Sequence, residues 1–371
     1  MMKRRNDIKR LRQLVGLLLV ALCMVACTTE TYPGDSMAAD KDEPMPIHLR
    51  MRPNINIGTE EEEWPIAGRP MTRATTDDSN IISSLPTDDY GVFIIDDSTY
   101  QNLVHGVASL AGYKTYGYVN EKAKLEGGKL KREDGTYFVY PKAKPKAETQ
   151  ATNAYTNAYI FVYWPYQAGL TLTELMDGIE VSVETTDQPS RLTNIDVLAG
   201  CIKVSTTNGF KDVSSSSYPM LKMFHVMSHL TIAYVHTTAA DKTLSAETLN
   251  ATLGNVHTKA KLNFLKSLTS TSSELYTSPT LSIEASGEKT TVVVATDHSA
   301  QLSSDGKQVT AKFYALVPPQ NIETSGANVT MTIIDGASQS RNFYRSNSAN
   351  APTEWAAGKK YKYNYTYVTR E

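Results

Sequence analysis

Apolar and polar residues alternate in short stretches along most of this chain, and the alternation predicts strands. In segment 47–52, Ile47, Leu49 and Met51 fall on one side and His48, Arg50 and Arg52 on the other. That is the period-2 pattern of a strand with one buried face. Asn54-Ile55-Asn56-Ile57 resumes it after Pro53, and the run of four glutamates from Glu60 to Glu63, with Pro65, breaks it. From residue 90 onward strand signals recur at 90–95 (YGVFII), 113–119, 137–140 after an Asp134-Gly135 turn, 158–164 (AYIFVYW), 179–183 and 195–204. Residues 206–219 (TTNGFKDVSSSSYP) read as a linker. Strands then resume at 221–235, 253–265, 280–283, 291–295, 309–316, 328–334 and 360–368. Long 3.6-period stretches are scarce, and residues 172–178 make one or two helical turns at most. Two groups of about seven short strands each predict an all-β chain with two β-sandwiches in tandem.

The amino-terminal 27 residues follow another pattern. Lys3, Arg4, Arg5, Lys9, Arg10 and Arg12 precede an apolar run, LVGLLLVALCMVA, which ends at Cys27. As a helix that run reaches about 20 Å, short of the ~30 Å hydrocarbon core, which marks a signal segment and not a permanent span. Met24-Val25-Ala26-Cys27 fits a bacterial lipobox, although Met stands where Leu is usual. Cys27 is therefore the expected lipidation site, with residues 1–26 as signal peptide and 27–45, polar and without periodicity, as a tether. The competing reading is an ordinary secretory peptide cleaved elsewhere.

Composition narrows the function classes. The chain has 371 residues with 37 basic and 39 acidic side chains, a balance that offers nothing to nucleic acid. Of three cysteines, Cys23 lies in the signal and Cys27 is the lipid site, so Cys201 is alone and expected to be buried as a small apolar residue. Twenty-one Tyr, with abundant Thr, Ser and Val, favour strands.

His225 and His229 are four apart, a metal spacing on a helix, but their surroundings predict a strand, where the two are structural. No nucleophile elbow, phosphate loop or dinucleotide fingerprint occurs. Asp88, Asp89, Asp96 and Asp97 read as turn acids. Tyr159, Tyr163, Trp164 and Tyr166 form an aromatic strand end suited to core packing, with sugar stacking open to its exposed members. No catalytic group, metal or cofactor is expected.

Residues 69–78 (RPMTRATTDD) pass from basic to small and acidic and look like an exposed loop. Such a loop presents Arg73 to a trypsin-like protease cutting between Arg73 and Ala74. Arg69 is the poorer site, because Pro70 restricts the backbone after it.

Several segments together resemble the fimbrillin-like family of Bacteroidetes type V pilus subunits. Thr72-Arg73-Ala74 follows the lipobox and precedes the first domain. Ile195-Asp196-Val197-Leu198-Ala199 is similar to an Asp-Leu-Leu-Tyr-Ala step of that family. Phe224-His225-Val226-Met227-Ser228-His229-Leu230 is similar to its Phe-x-His-x-x-Ser-x-Leu strand, one residue off in spacing. Trp355-Ala356-Ala357-Gly358-Lys359-Lys360-Tyr361-Lys362-Tyr363 resembles its Trp-x-x-Gly-x-x-Tyr-x-Tyr ending.

The resemblance implies two transthyretin-like Greek-key sandwiches, at 74–210 and 211–371, after a removable segment at 46–73. It also implies export as an outer-membrane lipoprotein, cleavage at Arg73, loss of the Ile47/Leu49/Met51 strand, and its replacement by a strand from another pilin subunit. Only Thr369-Arg370-Glu371 follow the last expected strand, so the chain is expected to accept a strand without donating one, as a tip or accessory subunit contributing to adhesion. The alternative is an uncleaved surface lipoprotein, serving as pilus anchor or as a binder of host or bacterial surface glycans or proteins.

Overall fold

Continuous apolar runs and alternating runs occupy different walls of the fold. A computed structural model describes residues 46–53, 85–106, 117–141, 157–186, 188, 196–204, 219–239, 241–265, 282–322, 329–335, 338–344 and 353–369. The expected sites at Cys27, Arg73 and Ala74 lie outside the described residues.

The first half contains β1 (Arg50–Pro53), β2 (Tyr90–Ile95), α1 (Asp97–Val104), β3 (Tyr118–Glu126), β4 (Lys129–Arg132), β5 (Ala158–Trp164), α2 (Leu172–Asp177), β6 (Ile179–Ser182), β7 (Leu198–Val204) and β8 (Met220–His225). Seven of these strands close into a barrel in the order β1-β4-β3-β2-β5-β7-β8, with β8 returning to β1. β5 buries both faces. Ala158, Ile160 and Val162 point into the barrel, while Tyr159, Phe161 and Tyr163 point outward beneath α1, α2 and β6. A strand covered on both sides has no reason to alternate, so 158–164 reads as an unbroken apolar run. Each helix begins on a cap. Asp96 accepts the Thr99 amide at 2.5 Å, and Thr171 with Glu174 forms a capping box.

The second half contains β9 (Ser228–Thr238), β10 (Thr248–Asn263), β11 (Ser282–Ser299), β12 (Gln301–Leu302), β13 (Gln308–Val317), β14 (Gln320–Asn321), β15 (Thr330–Ile334), β16 (Ser340–Tyr344), β17 (Glu354–Trp355) and β18 (Lys360–Thr369). One sheet runs β11-β10-β15-β16 and a second runs β12-β13-β9-β18, with β14 and β17 forming a separate ribbon. The two larger sheets enclose a core to which β9 gives Leu230, Ile232 and Tyr234, and β10 gives Leu249, Ala251 and Leu253. These strands alternate cleanly because each covers the core with one face only.

The all-β expectation holds. Details differ where local pattern and long-range pairing disagree. Of the expected strand 113–119, residues 113–116 lie outside the described residues and 118–119 open β3, while 137–140 supplies a bridge from Val139 to Pro46. The expected strand 221–235 is two strands, β8 and β9, separated at Val226 and Met227. The signals at 280–283 and 291–295 are one strand, β11, whose register against β10 shifts at several irregularities. β4, β12, β14, β16, β17 and α1 have no counterpart in the pattern. The boundary expected at 210/211 precedes β8, yet β8 belongs to the barrel, and the chain leaves it only after His225. β10 also pairs with both β6 and β15, so it is shared by the two halves.

Candidate functional site

β1 lies between two strands that do not meet without it. Toward β8 it runs parallel, with Arg50 beside Met220, Met51 beside Leu221 and Arg52 beside Lys222. Toward β4 it is antiparallel, with Arg50 beside Lys129. Backbone hydrogen bonds hold both edges. The Ile47 amide donates to the Phe138 carbonyl at 2.7 Å, and Leu49 accepts from the Leu130 amide at 2.9 Å. The Met51 amide donates to Gly128 at 3.1 Å, and the Arg50 amide to Pro219 at 2.9 Å.

Ile47, Leu49 and Met51 are 2, 2 and 7 % exposed, in one cluster with Tyr90, Leu130, Phe138, Leu221 and Met223. Burying each contributes roughly 1.5–3 kcal/mol, an upper range because released chains retain some contacts. The three residues expected on one strand face therefore do share it, inside the barrel. On the other face, His48 meets the Tyr137 ring edge-on at 4.4 Å. Partial burial, and secondarily the Lys129 cation, hold the His48 imidazole below its ordinary pKa.

A second constellation forms where the chain crosses from barrel to sandwich. Three motifs singled out in the sequence, far apart along the chain, meet there. His225 Nδ1 lies 2.6 Å from the Asp196 carboxylate, and the Val226 amide donates to the Val197 carbonyl at 3.0 Å. Ser228 Oγ donates to the Ala356 carbonyl at 2.8 Å, and the Gly358 amide donates to the Met227 carbonyl at 3.1 Å. Tyr361 OH accepts from the Ala356 amide at 2.8 Å, while Trp355 Nε1 donates to Tyr363 OH at 2.6 Å. These are largely buried polar contacts that fix a chain crossing.

The other candidates have structural partners. His229 is buried with its ring stacked on Tyr314 at 6.0 Å. Cys201 is buried in the core, and burial pushes its thiol up to about 12. Asp89 pairs with Lys122 at 2.8 Å, Asp97 lies 3.6 Å from Lys203, and Asp96 caps α1. Tyr159 and Tyr163 are core residues, whereas Trp164 and Tyr166 are half-buried at the strand end. Trp164 Nε1 donates to the Asp88 carbonyl at 3.1 Å, and Lys122 lies 5.9 Å from the Tyr166 ring centre. Among the described residues no three potential metal ligands cluster, and no helix is long and apolar enough to cross a membrane.

Sequence reasoning missed β4, one of the two strands that hold β1. The signal was present: Gly127 and Gly128, both with positive φ, join β3 to β4 in a two-residue hairpin, for which Gly-Gly is a characteristic sequence.

No curated protein matches the chain in sequence. Among solved structures, a candidate cell adhesion protein of Bacteroides uniformis is 17% identical with a TM-score of 0.47, covering 88% of this chain and 94% of its own. One from Bacteroides ovatus is 14% identical with a TM-score of 0.43, covering 88% and 92%. The fimbrial anchor protein Mfa2 of Porphyromonas gingivalis is 8% identical with a TM-score of 0.37, covering 88% and 91%. The family model described as fimbrillin-like matches residues 72–371, the chain without β1. The chain belongs to the fimbrillin-like family.

Proposed function

We propose that this protein is a non-enzymatic structural subunit of a surface fimbrium, assembled by exchange of β1 for a strand of another subunit. The observation that carries the reading is the placement of β1. It completes a barrel between β4 and β8, with Met51 and, just before it, Ile47 and Leu49 buried, and it is joined to the rest of the chain through the segment that contains Arg73. A cut between Arg73 and Ala74 turns β1 into a noncovalent occupant. Its departure would leave two unpaired strand edges and an apolar groove, the requirements of strand addition.

In this reading Cys27 carries a lipid that delivers the precursor to the outer membrane and stays behind with residues 27–73. A tip or accessory position, contributing to adhesion, fits the state of β18. That strand is paired along its ten residues with β9 and buries Tyr361 and Tyr363, so it is committed to its own sheet.

Amino-terminal sequencing of the protein recovered from the cell surface tests the reading. The expected first residue is Ala74. A surface form that still begins at lipidated Cys27 would defeat strand exchange and leave an uncleaved lipoprotein, acting as an anchor or glycan binder.

A further inference from the structure

We propose that Tyr137 reads one outward position of the strand site, so that the site selects a partner strand with a planar ring side chain where His48 sits; this deepens the reading that β1 is exchanged and rests on it. The backbone fixes the place. The Ile47 amide donates to the Phe138 carbonyl at 2.7 Å, and Pro46 bridges Val139 in the antiparallel sense. One step further in that register, position 48 stands opposite Tyr137. The two rings are 4.4 Å apart at 66°. Two residues later the neighbour has changed, with Arg50 beside Lys129 of β4.

Tyr137 is held by groups that do not belong to the occupant. The Arg132 amide donates to the Thr136 carbonyl at 2.9 Å, which turns the chain back alongside β4. Over the Tyr137 ring lie the ammonium groups of Lys131, at 5.2 Å from its centre, and Lys129, at 6.0 Å. Lys131 is itself paired with Glu126 at 2.8 Å. Beyond the ring, the Val139 amide donates to Tyr118 OH at 3.3 Å, and Tyr118 meets Phe138 edge-on at 4.9 Å. None of these contacts uses residues 46–53, so the ring keeps its place when the occupant changes. A contact surface ordered in advance adds little ordering cost to binding.

Rings that meet edge to face attract beyond the area they cover, and directly opposed positions of an antiparallel pair are where such contacts stabilise a sheet. An aliphatic side chain at position 48 covers Tyr137 without that attraction. The ring also does what the apolar positions cannot. A slip of two residues keeps Ile47, Leu49 and Met51 equivalents facing inward, because the side-chain period is two, but it carries the ring away from Tyr137. Apolar fit then holds the strand, while the ring sets which strand and in which register.

The test uses the full chain with a single-site protease sequence in place of residues 70–73, cleaved and then offered two fluorescent peptides of identical composition. Pro-Ile-Phe-Leu-Leu-Met-Arg-Pro puts the ring at position 48, and Pro-Ile-Leu-Leu-Phe-Met-Arg-Pro puts it at position 50. The first is expected to bind about fivefold tighter. Tyr137→Phe, which keeps the ring, should retain the preference. Tyr137→Leu should remove it while still binding the second peptide as the parent chain does. Equal affinities for the parent chain, or a preference that survives Tyr137→Leu, overturn the ring rule and leave strand exchange standing. If Tyr137→Leu does not fold, loss of the preference in parent or Tyr137→Phe still decides against the rule. If neither peptide enters the cleaved parent chain, strand exchange itself fails and the ring rule fails with it.

Discussion

Gly358 packs against His225 so closely that a Cβ on it would stand 2.8 Å from the His225 carbonyl oxygen. Its φ of +66 is also left-handed, so a side chain there meets two penalties at once. The glycine of the Trp-x-x-Gly-x-x-Tyr-x-Tyr ending is therefore explained by its distance from the His motif, not by its own turn alone. Gly358→Ala should destabilise the chain by about 2–4 kcal/mol, combining left-handed strain with the overlap. Gly358→Asn, which tolerates that φ but keeps the Cβ, should fall between glycine and alanine. Urea denaturation of the three chains checks the order; equal stability of Ala and Gly would refute the crowding.

The same crossing indicates what the sequence could reveal. The motifs at Asp196, at His225–Ser228 and at Trp355–Gly358 were legible as short patterns, because buried polar partners and a tight turn demand particular residue types. That they form one junction was not legible, since nothing local records that Ser228 reaches Ala356 or that Gly358 reaches Met227. The break of 221–235 into β8 and β9 was hidden for a related reason. Val226 and Met227 stay buried in the core while the chain changes sheets, so hydrophobicity continues where the strand does not. For the β1 site, the inward Ile47, Leu49 and Met51 could be read from period alone. The cationic setting of Arg50 and Arg52 required the register.

Asp196 and His225 should be energetically coupled. Their contact is 2.6 Å, with side chains only 2 and 9 % exposed. Removing the imidazole leaves a buried carboxylate without its partner, a change that costs about 3–5 kcal/mol in comparable settings. His225→Ala should therefore cost more than His225→Ala made in an Asp196→Asn background. Additive losses across that double-mutant cycle would mean the pair contributes no specific coupling.

Leu49, immediately before β1, should be the most sensitive position of segment 47–52. It is 2 % exposed, and its carbonyl accepts the Leu130 amide. Leu49→Ala creates a cavity inside the barrel and should cost about 2–5 kcal/mol. Arg52→Ala, on the exposed face, should cost nothing or stabilise slightly, because Arg52 is paired in register with the like-charged Lys222. Thermal melting of both variants distinguishes the two faces. A larger loss from Arg52→Ala would contradict the assignment of inward and outward positions.

Cys201 should be chemically silent in the native protein. Burial raises its thiol to about 12, so almost no thiolate exists near pH 8. A thiol reagent applied to a Cys23→Ser/Cys27→Ser chain should react only as fast as the protein unfolds, and fully in denaturant. Rapid labelling of the folded chain would place the thiol outside the core.

Acid should loosen β1 through His48. Burial and then Lys129 lower its folded pKa below the usual 6.5, so the docked strand favours the neutral ring. A released strand regains the ordinary value and binds a proton more readily. Above pH 6.5 both states are neutral, and His48 imposes no penalty. As pH falls from 6.5 toward the lowered folded value, the released state gains protons first and the docked state loses stability. Lys129, across the β4 edge, acts in the same direction as burial. The melting temperature of the full chain should therefore drop between pH 7.5 and pH 5.5 by more than that of His48→Gln, whose side chain does not titrate. Identical drops in the two chains would show that His48 carries no part of the pH response.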